Sequence, residues 1–328
     1  MMAEMRVNKN SIGTDLVVVG VFIFSMLLAP YYVLGDQRTY TGSYESMAGT
    51  GLLEGALVYA GWFGPTPEIM HFLVSWVGSN LGLGKIVVMS ASNAILALLF
   101  MKLFNRWKVS IYVSSIIMLT NFYFYGLYFA AERLKFGFIF LAASLLLLGQ
   151  HRKFFFTAAL AVFGHVQILV FYGTFFFKDV FREFLHAFKT LKLSYRLMIV
   201  VGLLLGLVGL IGNYLYFKVM AHAGLRSGSY LFDVSKILLF VFLALAYSKN
   251  WFDTILVFVP VVFLVLILGP DRINMIGYFV FMYFGLQYKN GLNFGVLITS
   301  LYYLPKSIFF VVEVIQTGRA YAPNFSPF

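Results

Sequence analysis

One histidine stands apart from every other ionisable residue in this sequence. His165 lies inside FFFTAALAVFGHVQILVFYGTFFF (154–177), with no other charge within ten residues on either side. An imidazole in apolar surroundings stays neutral and can act as a base near physiological pH. The sequence also offers four arginines outside the basic loops, Arg38, Arg133, Arg226 and Arg272. The planar guanidinium fork pairs with phosphate oxygens through charge-assisted hydrogen bonds. Glu68, behind Pro67, and Asp36, behind Gly35, are the acids that could take a proton if His165 does not. Together the four arginines suggest an anionic ligand.

Each candidate also has an ordinary structural explanation. Glu68 follows Pro67 at a helix start, where the dipole favours a carboxylate in any case. Asp36 fits a turn, and Arg38 and Arg226 fit solvated loops. Arg133 and Lys135 fit anchors reaching the membrane interface. Asp271 fits an N-cap with Arg272 as its local partner. His71 and His222 are weaker candidates than His165, because they lie nearer the ends of apolar runs.

The elements that would position these residues are apolar helices. Of 328 residues, 61% are hydrophobic, 19% aromatic and only 11% charged. A soluble domain is about 25% charged, and its surface needs polar cover that this chain does not have. A soluble enzyme, a disordered chain and a nucleic-acid-binding domain are excluded. The net charge of +11 comes from short basic segments between apolar runs, the pattern of cytoplasmic anchors beside anionic lipid. There is no cysteine, hence no disulfide and no thiolate chemistry. The histidine spacings lack a zinc motif and no Asp-x-Asp pair occurs, so neither a metal nor another cofactor is expected. No cleavable signal peptide is expected at the first apolar run.

The roughly 20-residue spanning rule predicts an all-α, polytopic membrane protein with about 10–11 transmembrane helices, some short or broken. We expect one membrane-embedded domain over 1–328, with a periplasmic loop at 35–85 and a cytoplasmic amphipathic segment at 178–196. The basic residues decide the topology. Arg6 and Lys9 hold the N-terminus inside, and Lys102, Arg106 and Lys108 fall inside only if 66–84 does not cross. The cations of 178–196 stay inside only if 154–177 is broken near Gly164-His165. A break at that depth is tolerated where it lines a polar cavity. The topology then gathers Asp36, Arg38, Glu45, Glu54, Glu68, Glu132, Arg133, His222, Arg226, Asp271 and Arg272 on the outer face, with His165 at the tip of the broken pair. An arginine at mid-membrane costs about 2.5–3.5 kcal/mol, and a hydrogen bond to a charged group returns about 1.5–3 kcal/mol. That balance favours an anionic ligand such as a diphosphate.

In chain order, a tyrosine-bearing acidic loop (GDQRTYTGSYES), a Pro/Glu pair (TPEIMHFL), an arginine heading a short helix (AAERLKFGFIFLAASLLLLG), a histidine in the next apolar run and a late arginine opening a tyrosine-containing helix (GPDRINMIGYFVFMYF) follow one another. This order resembles the EpsG-like, Wzy-type polysaccharide (O-antigen) polymerases over about residues 15–290. Pro67-Glu68 replaces that family's Glu-Pro, and Leu134 stands where its arginine is followed by glutamine. The resemblance implies a GT-C-like membrane glycosyltransferase in the bacterial inner membrane, with its active site towards the periplasm. It implies an undecaprenyl-diphosphate-linked oligosaccharide as both donor and acceptor, membrane lipid as surroundings, and a chain-length regulator as a candidate partner. No nucleic acid is implied. Arg133 and Arg272, then Arg226 and Arg38, would bind the diphosphate; His165, with Glu68 or Asp36 in reserve, would be the base. A flippase or transporter of lipid-linked sugar, and a single-sugar transferase using a prenyl-phosphate donor, remain as alternatives.

Overall fold

The computed structural model describes residues 2–192, 230–268 and 270–320, with isolated positions between 193 and 229; side chains are described from residue 11, but not at 230–233 or 267–272. Among the described residues the chain is all-helical. In order, the helices are α1 (Met2–Leu28), α2 (Asp36–Ser46), α3 (Leu52–Phe63), α4 (Ile69–Asn80), α5 (Lys85–Arg106), α6 (Ile111–Thr120), α7 (Phe122–Tyr125), α8 (Glu132–Leu146), α9 (His151–Gly164) and α10 (Ile168–Thr190). They continue with α11 (Tyr230–Tyr247), α12 (Trp251–Leu268), α13 (Pro270–Gln287) and α14 (Phe294–Thr317).

Apolar side chains face outward as well as inward. On α1 the inner face carries Val17, Val21, Ser25 and Leu28, all buried, while Leu16, Val19, Ile23 and Leu27 form an exposed stripe at helical spacing. In water such a stripe would be an association hazard; against lipid it is the normal outer surface. Among the described residues, three helical segments are long and apolar enough to cross a bilayer, at Ser11–Tyr31, Lys85–Arg106 and Lys289–Thr317. A fourth span is available if α6 and the segment 122–130, bent by 53° at Asn121, are counted as one. The bend has a local cause. The Asn121 side chain accepts a hydrogen bond from the Tyr123 backbone N–H at 3.0 Å, so α7 begins with its own cap instead of continuing α6.

The stretch 66–84, whose crossing the basic residues argued against, contains α4, only 12 residues long. At about 18 Å it falls well short of a bilayer core of about 30 Å. Segment 35–85 is therefore not an open loop but three short helices, α2, α3 and α4. They are tied down by side-chain bonds: Tyr44 donates to the Leu83 carbonyl at 2.8 Å, Ser79 to the Tyr44 carbonyl at 2.8 Å, and Trp76 to the Thr50 carbonyl at 3.1 Å. The expected interruption at Gly164-His165 is present, because α9 ends at Gly164 and α10 starts at Ile168. The basic segment from Lys178 onward is not a separate helix up to Thr190; it is the second half of α10.

The chain packs as two compact units, 1–168 with 289–328, and 169–288; uniform apolar composition gave no boundary there. In the first unit α8 packs against α4, α5 and α9, and α1 against α5 and α6. The crossing of α8 and α9 is close because both backbones present glycine. A Cβ on Gly164 would lie 2.6 Å from the Gly137 nitrogen and 2.8 Å from its Cα. The C-terminal carbonyls of α8 at Leu145, Leu146 and Leu148 accept hydrogen bonds from Arg106, a cation where the helix dipole favours one. In the second unit α11, α12 and α13 pack together around Ile237, Phe240, Val261, Tyr278 and Phe281. Arg182 of α10 pairs with Asp253 of α12.

Candidate functional site

The first unit buries a charged cluster at the N-terminal end of α8. Its centre is Glu68, 1% exposed. Glu68 occupies the N-cap position of α4, yet its side chain makes no cap bond. The structure therefore sets aside the bland explanation of this residue, since the carboxylate turns away from its own helix. Its Oε2 lies 2.8 Å from Arg133 Nη1, and its Oε1 lies 3.1 Å from His165 Nε2.

His165 reaches Glu68 because α9 stops. Its backbone is extended (φ −164°, ψ 128°) and its own N–H closes the last turn of α9 on the Ala161 carbonyl. The Gly137–Gly164 crossing brings this point against α8. The Gln167 backbone N–H donates to His165 Nδ1 at 3.1 Å. Nδ1 is thus an acceptor, so the ring proton sits on Nε2 and is donated to Glu68. Both nitrogens are committed. In this arrangement His165 holds Glu68, and the lone pair that a base would use is occupied by the backbone. The expected base, His165, and the acid held in reserve, Glu68, are thus hydrogen-bonded to each other.

Arg133 is the accessible member of the three, with a side chain 23% exposed. Its guanidinium lies over the Phe63 ring, 4.9 Å from the centroid, and within hydrogen-bonding range of the Tyr40 hydroxyl. Burial pushes the Tyr40 phenol up to about 12, against the pull of Arg133, so the hydroxyl stays protonated and its oxygen is what faces the donating guanidinium.

Behind this group lies a second network, centred on Glu132. Its Oε1 is 3.1 Å from Lys85 Nζ, and its Oε2 is 3.6 Å from His71 Nε2. Lys85, the first residue of α5, also donates to Gln37 Oε1 at 2.6 Å, and Gln37 in turn donates to the Phe129 carbonyl at 2.6 Å. Lys135 is fully buried and donates to the Tyr128 carbonyl at 3.2 Å. It is not an interfacial anchor. Tyr59 is 3.0 Å from His71 Nδ1, and Tyr40, Tyr59, Phe63 and Phe136 ring the imidazole. Consecutive residues of one helical turn thus divide the work: Glu132 faces α5 and Arg133 faces Glu68.

Burial holds the His71 imidazole below its ordinary value of 6.5, with Glu132 opposing. The unfolded chain therefore gains a proton on acidification that the folded protein resists. Stability contributed above pH 6.5 is lost as pH falls towards the lower folded value. Thermal midpoints in detergent should fall between pH 7 and pH 5, and the fall should be shallower for His71→Phe, which keeps the ring packing. Equal slopes for the two proteins would refute this.

Of the residues expected at the site, Glu68, Arg133 and His165 come together. Asp36 and Arg38 are both exposed on α2; Asp36 lies near enough to act electrostatically on Tyr40. Arg272 stands in the first turn of α13 with its side chain outside the described residues, as are His222 and Arg226 altogether. Lys85, Lys135, Gln37 and Tyr59 were not anticipated as site residues. Lys135 could have been: a lysine one turn inside an apolar helix carries the same signal that marked His165. Lys85 and Gln37 gave none, because Lys85 follows a glycine-rich turn and Gln37 lies in a polar stretch, and in both places a solvated role is the default.

No family model, curated protein or solved structure matches the chain.

Proposed function

We propose that the chain is a polymerase of O-antigen or a related surface polysaccharide, of the EpsG-like, Wzy-type kind, transferring a glycan from undecaprenyl diphosphate to the terminal sugar of another lipid-linked repeat. In this reading the apolar helices form a GT-C-like bundle of about 10–11 spans in a bacterial inner membrane, with the Glu68 cluster open to the periplasm. The observation that carries the reading is a buried carboxylate held between a histidine and a partly exposed arginine. Glu68 pairs with Arg133, and Glu132 with Lys85. The Arg133 guanidinium keeps an accessible side, and a fixed cation at the edge of a buried cluster favours an anion there.

The chemistry follows from these positions. The donor diphosphate takes the Arg133 guanidinium, whose fork suits its oxygens. That withdraws the counterion from Glu68, which is freed to take a proton while His165 keeps it in place. The acceptor's hydroxyl oxygen bonds to the donor's anomeric carbon. The bond from that carbon to the diphosphate oxygen breaks, and its electron pair leaves with undecaprenyl diphosphate. The hydroxyl proton passes to Glu68. Growing charge on the leaving oxygen is met by a cation already in position, which is the larger part of what such a site contributes.

Membranes of cells carrying Arg133→Gln in place of the wild-type chain should accumulate lipid carriers bearing a single repeat unit, where wild-type membranes show a ladder of lengths. A normal ladder from a variant expressed at wild-type level would rule out Arg133 as the diphosphate contact.

A further inference from the structure

We propose that a small cavity beside Glu132, enclosed by α5, the 122–130 segment, α2 and the turn that follows α1, is a binding site for one ordered water molecule. The cavity has a volume of about 20 Å³ and is lined by Gln37, Ser90, Asn93, Tyr128 and Glu132, among others. One water needs about 10–15 Å³ measured this way, so a single molecule fits and a second does not.

Three of the lining side chains present oxygens with no hydrogen bond of ordinary length within the protein: Ser90 Oγ, Asn93 Oδ1 and Glu132 Oε2, which has His71 Nε2 at 3.6 Å and a second lone pair to spare. Their residues are 1%, 2% and 3% exposed. The orientation of Asn93 is fixed by its amide, which donates to Ser25 Oγ at 2.9 Å and to the Tyr128 carbonyl at 3.1 Å. Its carbonyl oxygen is therefore an acceptor left over. A buried acceptor without a partner is costly, and three around one hollow are exceptional.

The neighbouring charges select the occupant. Lys85 lies 3.1 Å from the other oxygen of Glu132, and Lys135 is anchored on the Tyr128 carbonyl that also binds Asn93. Two ammonium groups this close disfavour a metal cation. Carboxylate and amide oxygens disfavour an anion, and an apolar molecule would leave all three oxygens unpaired. Water satisfies the set. It donates to Asn93 Oδ1 and Glu132 Oε2 and accepts from the Ser90 hydroxyl, making the roughly three bonds usual for a buried water. Its role is to position Glu132. With Lys85 on one oxygen, and the water beside His71 on the other, the carboxylate stays on the α5 side, and Arg133, the next residue, is left to Glu68.

Two substitutions at Ser90 separate a wet cavity from a dry one. Ser90→Ala leaves room for the water, which keeps its two acceptors. Ser90→Val fills the space, expels the water and strands Asn93 and Glu132. The expected result for the purified full-length chain in detergent is a thermal midpoint several degrees lower for the valine variant than for the alanine variant, more than their difference in helix propensity explains. Filling a dry cavity would have the opposite sign, so a valine variant as stable as the alanine variant would overturn the proposal. Midpoints that rise with sodium or potassium chloride in the wild type, but not with choline chloride, would overturn it in favour of a cation. A high-resolution map with a single peak at hydrogen-bonding distance from the three oxygens would support it directly.

Discussion

Glu68→Gln is expected to abolish chain growth and to destabilise the protein, and adding Arg133→Gln is expected to restore the stability without the activity. Glu68 is almost wholly buried and contacts both His165 and Arg133. The amide keeps the shape but loses the charge, and its NH2 group must face either the guanidinium or the imidazole N–H. Removing one partner of a buried ion pair costs about 3–5 kcal/mol. The Arg133 side chain is 23% exposed, so water recovers part of that and the lower end of the range applies. Neutralising Arg133 as well removes the stranded charge. The thermal midpoint of the double variant should therefore lie above that of Glu68→Gln alone, a non-additivity that reports the pair. Activity should fall by about 10²–10⁴ in both, the usual contribution of a positioned proton acceptor. Additive losses of stability would mean that the two side chains do not meet.

The second large effect concerns a residue with no chemistry. Gly164→Ala puts a Cβ 2.6 Å from the Gly137 nitrogen and 2.8 Å from both the Gly137 Cα and the Phe136 carbonyl carbon. These are backbone atoms that cannot swing aside, so α8 and α9 must separate. Overpacking of this kind costs about 1–3 kcal/mol. It also carries His165, the next residue, away from Glu68. The expected phenotype is a folded but less stable protein with chain growth reduced at least tenfold. Gly61→Ala is the control: it lies within α3, where a Cβ would meet nothing within 4 Å. It should raise stability by about 0.5–1 kcal/mol, because alanine restricts the unfolded chain and favours the helix. A Gly164→Ala protein indistinguishable from wild type would mean that the close crossing does not hold the site.

Part of this was legible before any coordinates. An imidazole surrounded by phenylalanines must have a polar partner, which marked His165, and the charge asymmetry of the loops placed a break at 164–165. What could not be read was pairing. Glu68 and His165 are nearly a hundred positions apart, and nothing in either segment says that they meet; the meeting depends on two glycines, Gly137 and Gly164, that look like ordinary small residues of apolar helices. Which nitrogen of His165 donates to Glu68 depends on a single backbone N–H, that of Gln167, which no side-chain pattern encodes. Lys85 was invisible for a different reason: at the start of a helix after a glycine-rich turn, a lysine is ordinarily solvated, and only the fold of α2 over it supplies Gln37.

The most direct measurement uses the purified protein in proteoliposomes, supplied with undecaprenyl-diphosphate-linked repeat units extracted from cells that make the polymer. The wild type should release undecaprenyl diphosphate in step with lengthening of the acceptor, and His165→Ala, with Glu68 no longer held, should release almost none. No release by the wild type, or equal release by the two proteins, would contradict the assignment of this cluster to glycosyl transfer.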